Sequence, residues 1–137
     1  MILTKTTEYA VRVLTYMASQ KQDLFSAKYL HEQLNIPYKY LTKLMTDLAK
    51  SGCLTSTRGR DGGFKITKNL NEITLSKIIE SVEGMESFNA CILGFHECSN
   101  ENPCAMHYVW EKNKKEFVKT LENTTLNDIN HLDVGRF

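Results

Sequence analysis

Residues 91–107, "CILGFHECSNENPCAMH", contain three of the chain's four cysteines. The spacing is Cys91-x6-Cys98-x5-Cys104-x2-His107, and the segment has no hydrophobic period, which is typical of a loop. Thiolate sulfur and imidazole nitrogen are ligands of both iron–sulfur clusters and zinc. The segment is therefore predicted to be a loop that carries metal or redox chemistry.

The spacing leaves several kinds of site open. An iron–sulfur cluster needs several thiolates and accepts a histidine, and a Cys3His zinc site uses the same four residues. A thiol–disulfide switch needs only two cysteines and no metal. The spacing is neither a usual ferredoxin pattern nor a paired Cys-x2-Cys zinc knuckle. Incidental cysteines in a flexible loop are the weakest interpretation. Cys53 lies at the start of a predicted strand and is expected in the core.

The composition is that of one soluble globular domain, with 137 residues, 42% of them hydrophobic and 24% charged. No apolar run is long enough for a signal peptide or for the ~20 residues of a membrane span. We therefore expect a cytoplasmic protein with no membrane partner. Nothing in the sequence indicates a small-molecule substrate or an enzymatic general base, so no enzymatic activity is expected.

The charge is divided unequally along the chain. Residues 1–70 carry 11 Lys and Arg against 5 Asp and Glu, a net of +6. Residues 71–137 carry 6 Lys and Arg against 11 Asp and Glu, a net of −5. A basic first half indicates contact with a polyanion such as DNA.

Hydrophobic spacing predicts the elements that must position the cysteines. Apolar residues at helical intervals indicate three helices before residue 52, then "CLTSTR" and "FKIT" flank "GRDGG" as a hairpin. Ser26 and Thr74 are expected to cap the second and fourth helices, and Pro37 to occupy the first turn of the third. A long helix is expected from Cys104 to about Asn123, and the tail carries no clear signal.

This order of elements predicts a mainly α fold, a winged helix-turn-helix DNA-binding domain with a long C-terminal dimerisation helix. We divide it into a DNA-binding head at 1–84, a cysteine-rich loop at 85–103, and the dimerisation helix with its tail at 104–137. The apolar side of the long helix, with Phe117 and Leu121, has no obvious partner within the head. It is therefore the predicted dimer interface.

Two exposed surfaces of the head could contact DNA. The third helix buries an apolar stripe and turns polar residues outward, and the hairpin tip "RGRDGGF" presents arginines that can enter a minor groove. An ordinary solvated helix face and a plain turn are the alternatives, and the basic charge of this half favours DNA. The candidate DNA-binding residues are Tyr38, Lys39, Thr42, Lys43, Arg58 and Arg60.

Four segments are similar to those of a known family: "TEYAVRVLTYMA", "IPYKYLTKLMTDLAKSGCLTSTRGRDGGF", "ITLSKIIESVEG", and the cysteine loop running into "CAMHYVW". The chain resembles the winged-helix bacterial regulators that include IscR, the iron–sulfur-assembly repressor, and NsrR, the nitric-oxide sensor. The resemblance implies a homodimeric repressor of a near-palindromic double-stranded DNA operator. It also implies an iron–sulfur cluster that senses nitric oxide, redox state or cluster supply.

The resemblance assigns roles to individual residues. It places the cluster on Cys91, Cys98 and Cys104. It matches Arg58 to the family's minor-groove arginine, and Thr42 to a position where some members read bases. Against this reading, a zinc-bound or thiol-switch DNA-binding regulator remains an alternative, as does an iron–sulfur electron carrier, which would not need a wing.

The fourth cluster ligand has two candidates. His107 is favoured, because "CAMHYVW" repeats the Cys-x2-His-x2-Trp pattern of the IscR branch, and it implies a 2Fe–2S cluster. His107 is also one predicted helical turn from Cys104, within reach of the same iron. Glu8 is the alternative, since the NsrR branch uses an acidic residue of the partner subunit at the start of the first helix. It implies a 4Fe–4S cluster.

Overall fold

The computed structural model describes residues 3–67 and 69–133. Six α-helices and two strands follow one another in these ranges: α1 Lys5–Ser19, α2 Ala27–Leu34, α3 Tyr38–Lys50, β1 Leu54–Thr57, β2 Gly63–Ile66, α4 Leu75–Val82, α5 His107–Asn123 and α6 Leu126–Asp133. Short 3₁₀ turns lie at Leu70–Glu72 and Glu86–Asn89. The predicted order of three helices, a hairpin and a fourth helix is confirmed.

Side-chain caps set where the helices of the head begin. The hydroxyls of Ser26 and Thr74 accept hydrogen bonds from backbone N–H groups three residues later, so both predicted caps are confirmed. Pro37 is the N-cap of α3, one residue earlier than predicted. Asn35 ends α2 in the left-handed conformation, with φ of 54°, which keeps the connection between α2 and α3 short.

One apolar core joins the first four helices to the hairpin. The stripe of α3 (Leu41, Leu44, Met45, Leu48) is fully buried, as predicted, and Cys53 is buried beside it. Leu126 of α6 lies in the same core. Its amide donates to the Ile73 carbonyl at 2.7 Å. The tail without a sequence signal thus contains a helix that packs back onto the head.

The hairpin forms the wing and is tied to the segment that precedes α2. Strands β1 and β2 are antiparallel, with Leu54 opposite Ile66. Phe25 and Phe64 exchange two backbone hydrogen bonds, of 2.9 and 2.7 Å. A Cβ on Gly63 would lie 2.6 Å from the Phe25 carbonyl oxygen, so only glycine permits this close approach.

Helix α5 differs from its prediction in two respects. It begins at His107, three residues after Cys104, because the chain first closes a turn in which the His107 amide donates to the Cys104 carbonyl at 3.1 Å. At Phe117 and Leu121 its apolar side also packs within the chain, although the sequence indicated no partner for it in the head. Leu121 is 3% exposed and packs with Ile79 and Phe88.

The apolar side chains that α5 leaves exposed lie at its beginning. Tyr108 and Val109 are 62% and 55% exposed. Periodicity along α5 could not separate these residues from Phe117 and Leu121, because it does not reveal which part of the helix folds against α4. Within the described ranges, no helix combines the length and the apolar character that crossing a membrane requires.

Candidate metal centre and nucleic-acid interface

Three sulfur atoms meet in the loop before α5. The Sγ atoms of Cys91, Cys98 and Cys104 all lie within 4.8 Å of one another, and the three residues are half-buried and carry free thiols. We call this group the cysteine triangle. Its Cys91–Cys104 edge measures 3.6 Å. Two thiolates on one tetrahedral metal, with bonds of ~2.3 Å, stand ~3.8 Å apart, so this pair has the separation that a shared metal ion requires.

The backbone of the loop holds the triangle. The Gly94 amide donates to the Cys91 carbonyl at 3.0 Å, in a turn where Gly94 has a φ of 83°. Ser99 and Asn102 exchange backbone hydrogen bonds of 3.3 and 3.1 Å. Two tight turns therefore replace the regular secondary structure that this segment lacks, and they bring cysteines far apart in sequence to one place.

Helix α5 closes the site from one side. The indole Nε1 of Trp110 donates to the Ala90 carbonyl at 3.2 Å, which fastens the helix to the residue before Cys91. Trp110 and His107 both line a cavity of about 310 Å³ that also contains the three cysteines. A cavity of this size at the triangle leaves room for more than the thiols themselves.

His107 lies beside the triangle but contacts a different cysteine from the one expected. Its Nδ1 is 3.3 Å from Cys98 Sγ, whereas the prediction paired it with Cys104 on one helix face. Cys104 precedes the helix, so the helical spacing does not apply to the pair. His107 is outside the group of sulfur atoms that lie within 4.8 Å of one another.

Glu8, the alternative ligand, is engaged elsewhere in the chain. Its carboxylate forms an ion pair of 3.3 Å with Lys5 Nζ in the first turn of α1. It does not belong to the cysteine triangle of the same chain. Its assignment as a ligand was made to the partner subunit's site and stays a prediction.

The environment separates the pKa values of two cysteines. Desolvation opposes the Cys91 thiolate, but hydrogen bonds from the backbone of Phe95 and Leu93 and from the Cys104 and Cys98 side chains outweigh it and lower the pKa of Cys91 to about 7. At Cys98 the Cys104 backbone N–H favours the thiolate. Desolvation and the two neighbouring thiols outweigh this effect and raise the pKa of Cys98. Cys91 is therefore the thiol that ionises before Cys98.

In metal-free protein, limiting iodoacetamide at pH 7 should label Cys91 before Cys98. The thiolate is the reactive form, and a pKa of about 7 leaves Cys91 half ionised. Lowering the pH from 7 to 6 should slow Cys91 labelling about five-fold, since the thiolate fraction falls below the pKa. Peptide mass spectrometry measures both rates, and the buried Cys53 serves as the unlabelled reference. Equal rates at Cys91 and Cys98 would contradict the assignment.

The exposed side of α3 carries the helical DNA candidates. Tyr38 is 50% exposed at the first turn, where its ring lies edge-on to His31 with centroids 5.8 Å apart. Lys39 is exposed one residue later, and Lys43 is exposed but paired with Asp47 at 3.2 Å. The half-buried Thr42 donates its hydroxyl to the Lys39 carbonyl at 3.0 Å, so its methyl group and its remaining lone pairs are available to a base.

The wing tip carries the two arginine candidates. Arg58 and Arg60 are exposed on either side of Gly59, whose φ is 108°. Among the described residues, neither arginine forms an ion pair with a carboxylate. Two unpaired guanidinium groups on a narrow projection suit contact with phosphates or with a minor groove.

Comparison with known proteins places this architecture in one family. The Rrf2 family, described as an iron-dependent transcriptional regulator, matches residues 3–131. The chain belongs to the Rrf2 family. It is accordingly a DNA-binding transcriptional regulator, and the family resemblance identified from the sequence is confirmed.

Rrf2 relatives of known sequence or structure support the same fold. The regulator NsrR of Halalkalibacterium halodurans is 33% identical over 139 residues, covering 94% of this chain and 90% of that protein. The structure of T. potens IscR has a TM-score of 0.71 at 26% identity and covers 93% of this chain and 84% of its own. Oxidized Staphylococcus aureus CymR has a TM-score of 0.73 at 25% identity, with 95% and 96% covered. The winged-helix prediction is confirmed.

Two polar contacts of the site were missed by sequence reasoning. The Nε2 of His107 lies 2.9 Å from Asn100 Oδ1 and 3.3 Å from Glu111 Oε2. Glu111 could have been found, because it follows His107 by four residues in a predicted helix and such residues are neighbours. Asn100 gave no signal, since its position depends on the turns of the loop.

Proposed function

We propose that this Rrf2 protein is a homodimeric repressor whose operator binding is controlled by an iron–sulfur cluster on Cys91, Cys98 and Cys104. The observation that carries the proposal is the cysteine triangle, three free and half-buried thiols within 4.8 Å of one another beside a histidine. A bound cluster supplies iron that reacts with nitric oxide or oxidants and that is lost when supply fails. The signal sensed is nitric oxide, an oxidant or the supply of clusters.

The pairing of ligand atoms favours a 2Fe–2S cluster with His107 as fourth ligand. The Cys91 and Cys104 sulfurs form one pair, at 3.6 Å. Cys98 Sγ and His107 Nδ1 form a second pair, at 3.3 Å. Two pairs of ligands suit two irons, each of which takes two protein ligands in such a cluster. A 4Fe–4S cluster with Glu8 of the partner subunit as ligand is the alternative.

The DNA contacts of the proposed repressor divide between α3 and the wing. Lys39 and Lys43 would contact phosphates, Tyr38 and Thr42 would reach base edges in the major groove, and Arg58 with Arg60 would enter the flanking minor groove. Two such heads, related by a two-fold axis, read a near-palindromic operator. The exposed beginning of α5, at Tyr108 and Val109, is our choice for part of the dimer interface.

A metal-free thiol switch or a zinc site is the second candidate for the same triangle. The Cys91–Cys104 separation of 3.6 Å would need to shorten by ~1.6 Å to give a disulfide. The likeness to the oxidized form of CymR favours the thiol switch over the zinc site. Zinc would use the three cysteines and His107 in a tetrahedral site. Each candidate retains the DNA-binding head.

The deciding experiment is anaerobic purification followed by iron, sulfide and zinc analysis. We expect brown protein with visible absorption and near-equal iron and acid-labile sulfide. Adding nitric oxide or air should then change binding to a palindromic operator at fixed salt. Colourless protein with stoichiometric zinc would replace the cluster by the zinc site, and metal-free protein with a Cys91–Cys104 disulfide would establish the thiol switch.

The Arg58→Ala substitution should weaken specific operator binding by about 1–3 kcal/mol, because it removes an unpaired minor-groove guanidinium. Lys39→Ala should instead weaken binding to all sequences alike and reduce the salt dependence, as expected for one lost phosphate contact. Fluorescence anisotropy at several salt concentrations measures both effects. Lys65→Ala, on the neighbouring strand of the wing, is the charge-matched control. Unchanged operator affinity in both test variants would exclude this docking.

A further inference from the structure

We infer that Glu111 and Asn100 are positioning residues that hold the His107 ring by its Nε2–H and thereby present Nδ1 to the cysteine triangle. The inference deepens the proposed function, on which it rests. It assigns a role to a carboxylate of α5 and an amide of the cysteine loop, both of which contact the His107 ring.

Two polar contacts at Nε2, a hydrogen bond with Asn100 and a charge contact with Glu111, orient the ring. Nε2 lies 2.9 Å from Asn100 Oδ1 and 3.3 Å from Glu111 Oε2. A carboxylate oxygen only accepts, and a neutral imidazole has a single N–H. In the neutral ring these contacts place the proton on Nε2. Nδ1 keeps its lone pair, 3.3 Å from Cys98 Sγ, where a metal held by that thiolate would be within its reach.

The two oxygen atoms beside Nε2 come from separate parts of the structure. Glu111 lies one turn after His107 on α5. Asn100 belongs to the turn closed by Ser99 and Asn102. The ring is enclosed between them, with 12% of its side chain exposed. Helix and loop therefore each place an oxygen atom beside the same ring nitrogen. Rotation of the ring would break the Asn100 hydrogen bond and the Glu111 contact together.

Such a contact has a chemical consequence for a metal ligand. A carboxylate that accepts the far N–H of a ligating histidine fixes its tautomer and raises its basicity, and loss of such a partner typically costs 10–100-fold in metal affinity. Glu111 would also add negative charge close to the cluster, which favours the oxidised state. Glu116 is exposed five residues further along α5. It is not among the residues that contact the His107 ring nitrogens, so it is the matched control.

The cluster test compares Glu111→Ala, Glu111→Gln and Glu116→Ala with the parent after anaerobic reconstitution with ferrous iron and sulfide. Pulsed electron paramagnetic resonance of the reduced cluster reports the coupling to histidine nitrogen, and redox titration reports the midpoint potential. We expect Glu111→Ala to weaken the nitrogen coupling and to lose iron at least ten-fold faster to a chelator. Glu111→Gln should retain the coupling at a higher potential. Glu116→Ala should match the parent. If Glu111→Ala has the same nitrogen coupling as the parent and loses iron at the same rate, the inference is overturned.

A second measurement needs no cluster and separates this inference from the proposed function. In metal-free protein, nitrogen-15 spectra of the His107 ring should show a protonated Nε2 and an unprotonated Nδ1. In an Asn100→Ala/Glu111→Ala double variant the two nitrogen shifts should converge, while circular dichroism stays unchanged. Absence of iron and sulfide from the parent would defeat the proposed function alone. A proton on Nδ1 of the parent would defeat the positioning role, whether or not a cluster binds.

Discussion

Replacing Cys104 with serine should abolish stable cluster binding while leaving the DNA-binding head folded. Its sulfur is 3.6 Å from Cys91 Sγ and within 4.8 Å of Cys98 Sγ, so one change removes a corner of the triangle. A hydroxyl oxygen is a harder and weaker iron ligand than a thiolate. Cys104 is half-buried in a loop rather than in the core, and the substitution removes no core packing.

Iron and sulfide per chain should fall from stoichiometric to near zero in Cys104→Ser, with an unchanged far-ultraviolet circular dichroism spectrum. Cys53→Ala is the matched control, because this cysteine is fully buried in the core. It should keep its iron and lose roughly 1 kcal/mol of unfolding free energy. Full iron occupancy in Cys104→Ser, or iron loss in Cys53→Ala, would show that the iron is not bound at the cysteine triangle.

Leu121→Asp should unfold the head rather than merely split a dimer. Leu121 packs against Ile79 and Phe88 within one chain. An aspartate there loses the packing of the leucine and must bury or hydrate a carboxyl group, at a combined cost of more than about 3 kcal/mol. Urea denaturation followed by circular dichroism measures the loss. A Leu121→Asp protein as stable as the parent would show that α5 does not pack on α4.

Val109→Asp is the companion substitution on the exposed beginning of α5. The residue is 55% exposed in a single chain, so the fold should be retained. A charge in the proposed interface should nevertheless weaken dimerisation, which sedimentation at a series of concentrations measures. An undiminished dimer would place the interface on another surface. Together the two variants separate packing within one chain from packing between chains.

The elements that local chemistry specifies were the ones predictable from the sequence. The Ser26 and Thr74 caps and the buried stripe of α3 needed only a few neighbouring residues to be recognised. The cysteine triangle was predictable as a set of ligands, because thiols rarely cluster in a loop without a role. Its internal pairing was not, because Cys98 meets His107 only through turns that bring separate segments together.

Long-range packing accounts for the rest. Leu121 packs on α4, which is separated from α5 by a 3₁₀ turn and the whole cysteine loop. Periodicity within α5 shows that the helix has an apolar side, but it does not show which element covers that side. The packing of Leu126 was also not predictable, because an eight-residue helix is too short to produce a clear hydrophobic pattern. The position of this helix is determined by the packing of Leu126 in the core of the head. Both errors concern where an apolar surface goes, not whether it exists.

The two ends of α5 contact different parts of the protein, so a shift of one end changes the orientation of the helix. Its first residue, His107, contacts the cysteine loop. Beyond its last turn the Thr124 carbonyl accepts from the Leu75 amide at 2.9 Å, so this end is attached to the start of α4. A helix of 17 residues is ~25 Å long. A displacement of ~1 Å at the loop therefore tilts the helix by only ~2°, but two such helices related by the two-fold axis of a dimer would double the change in angle between their heads.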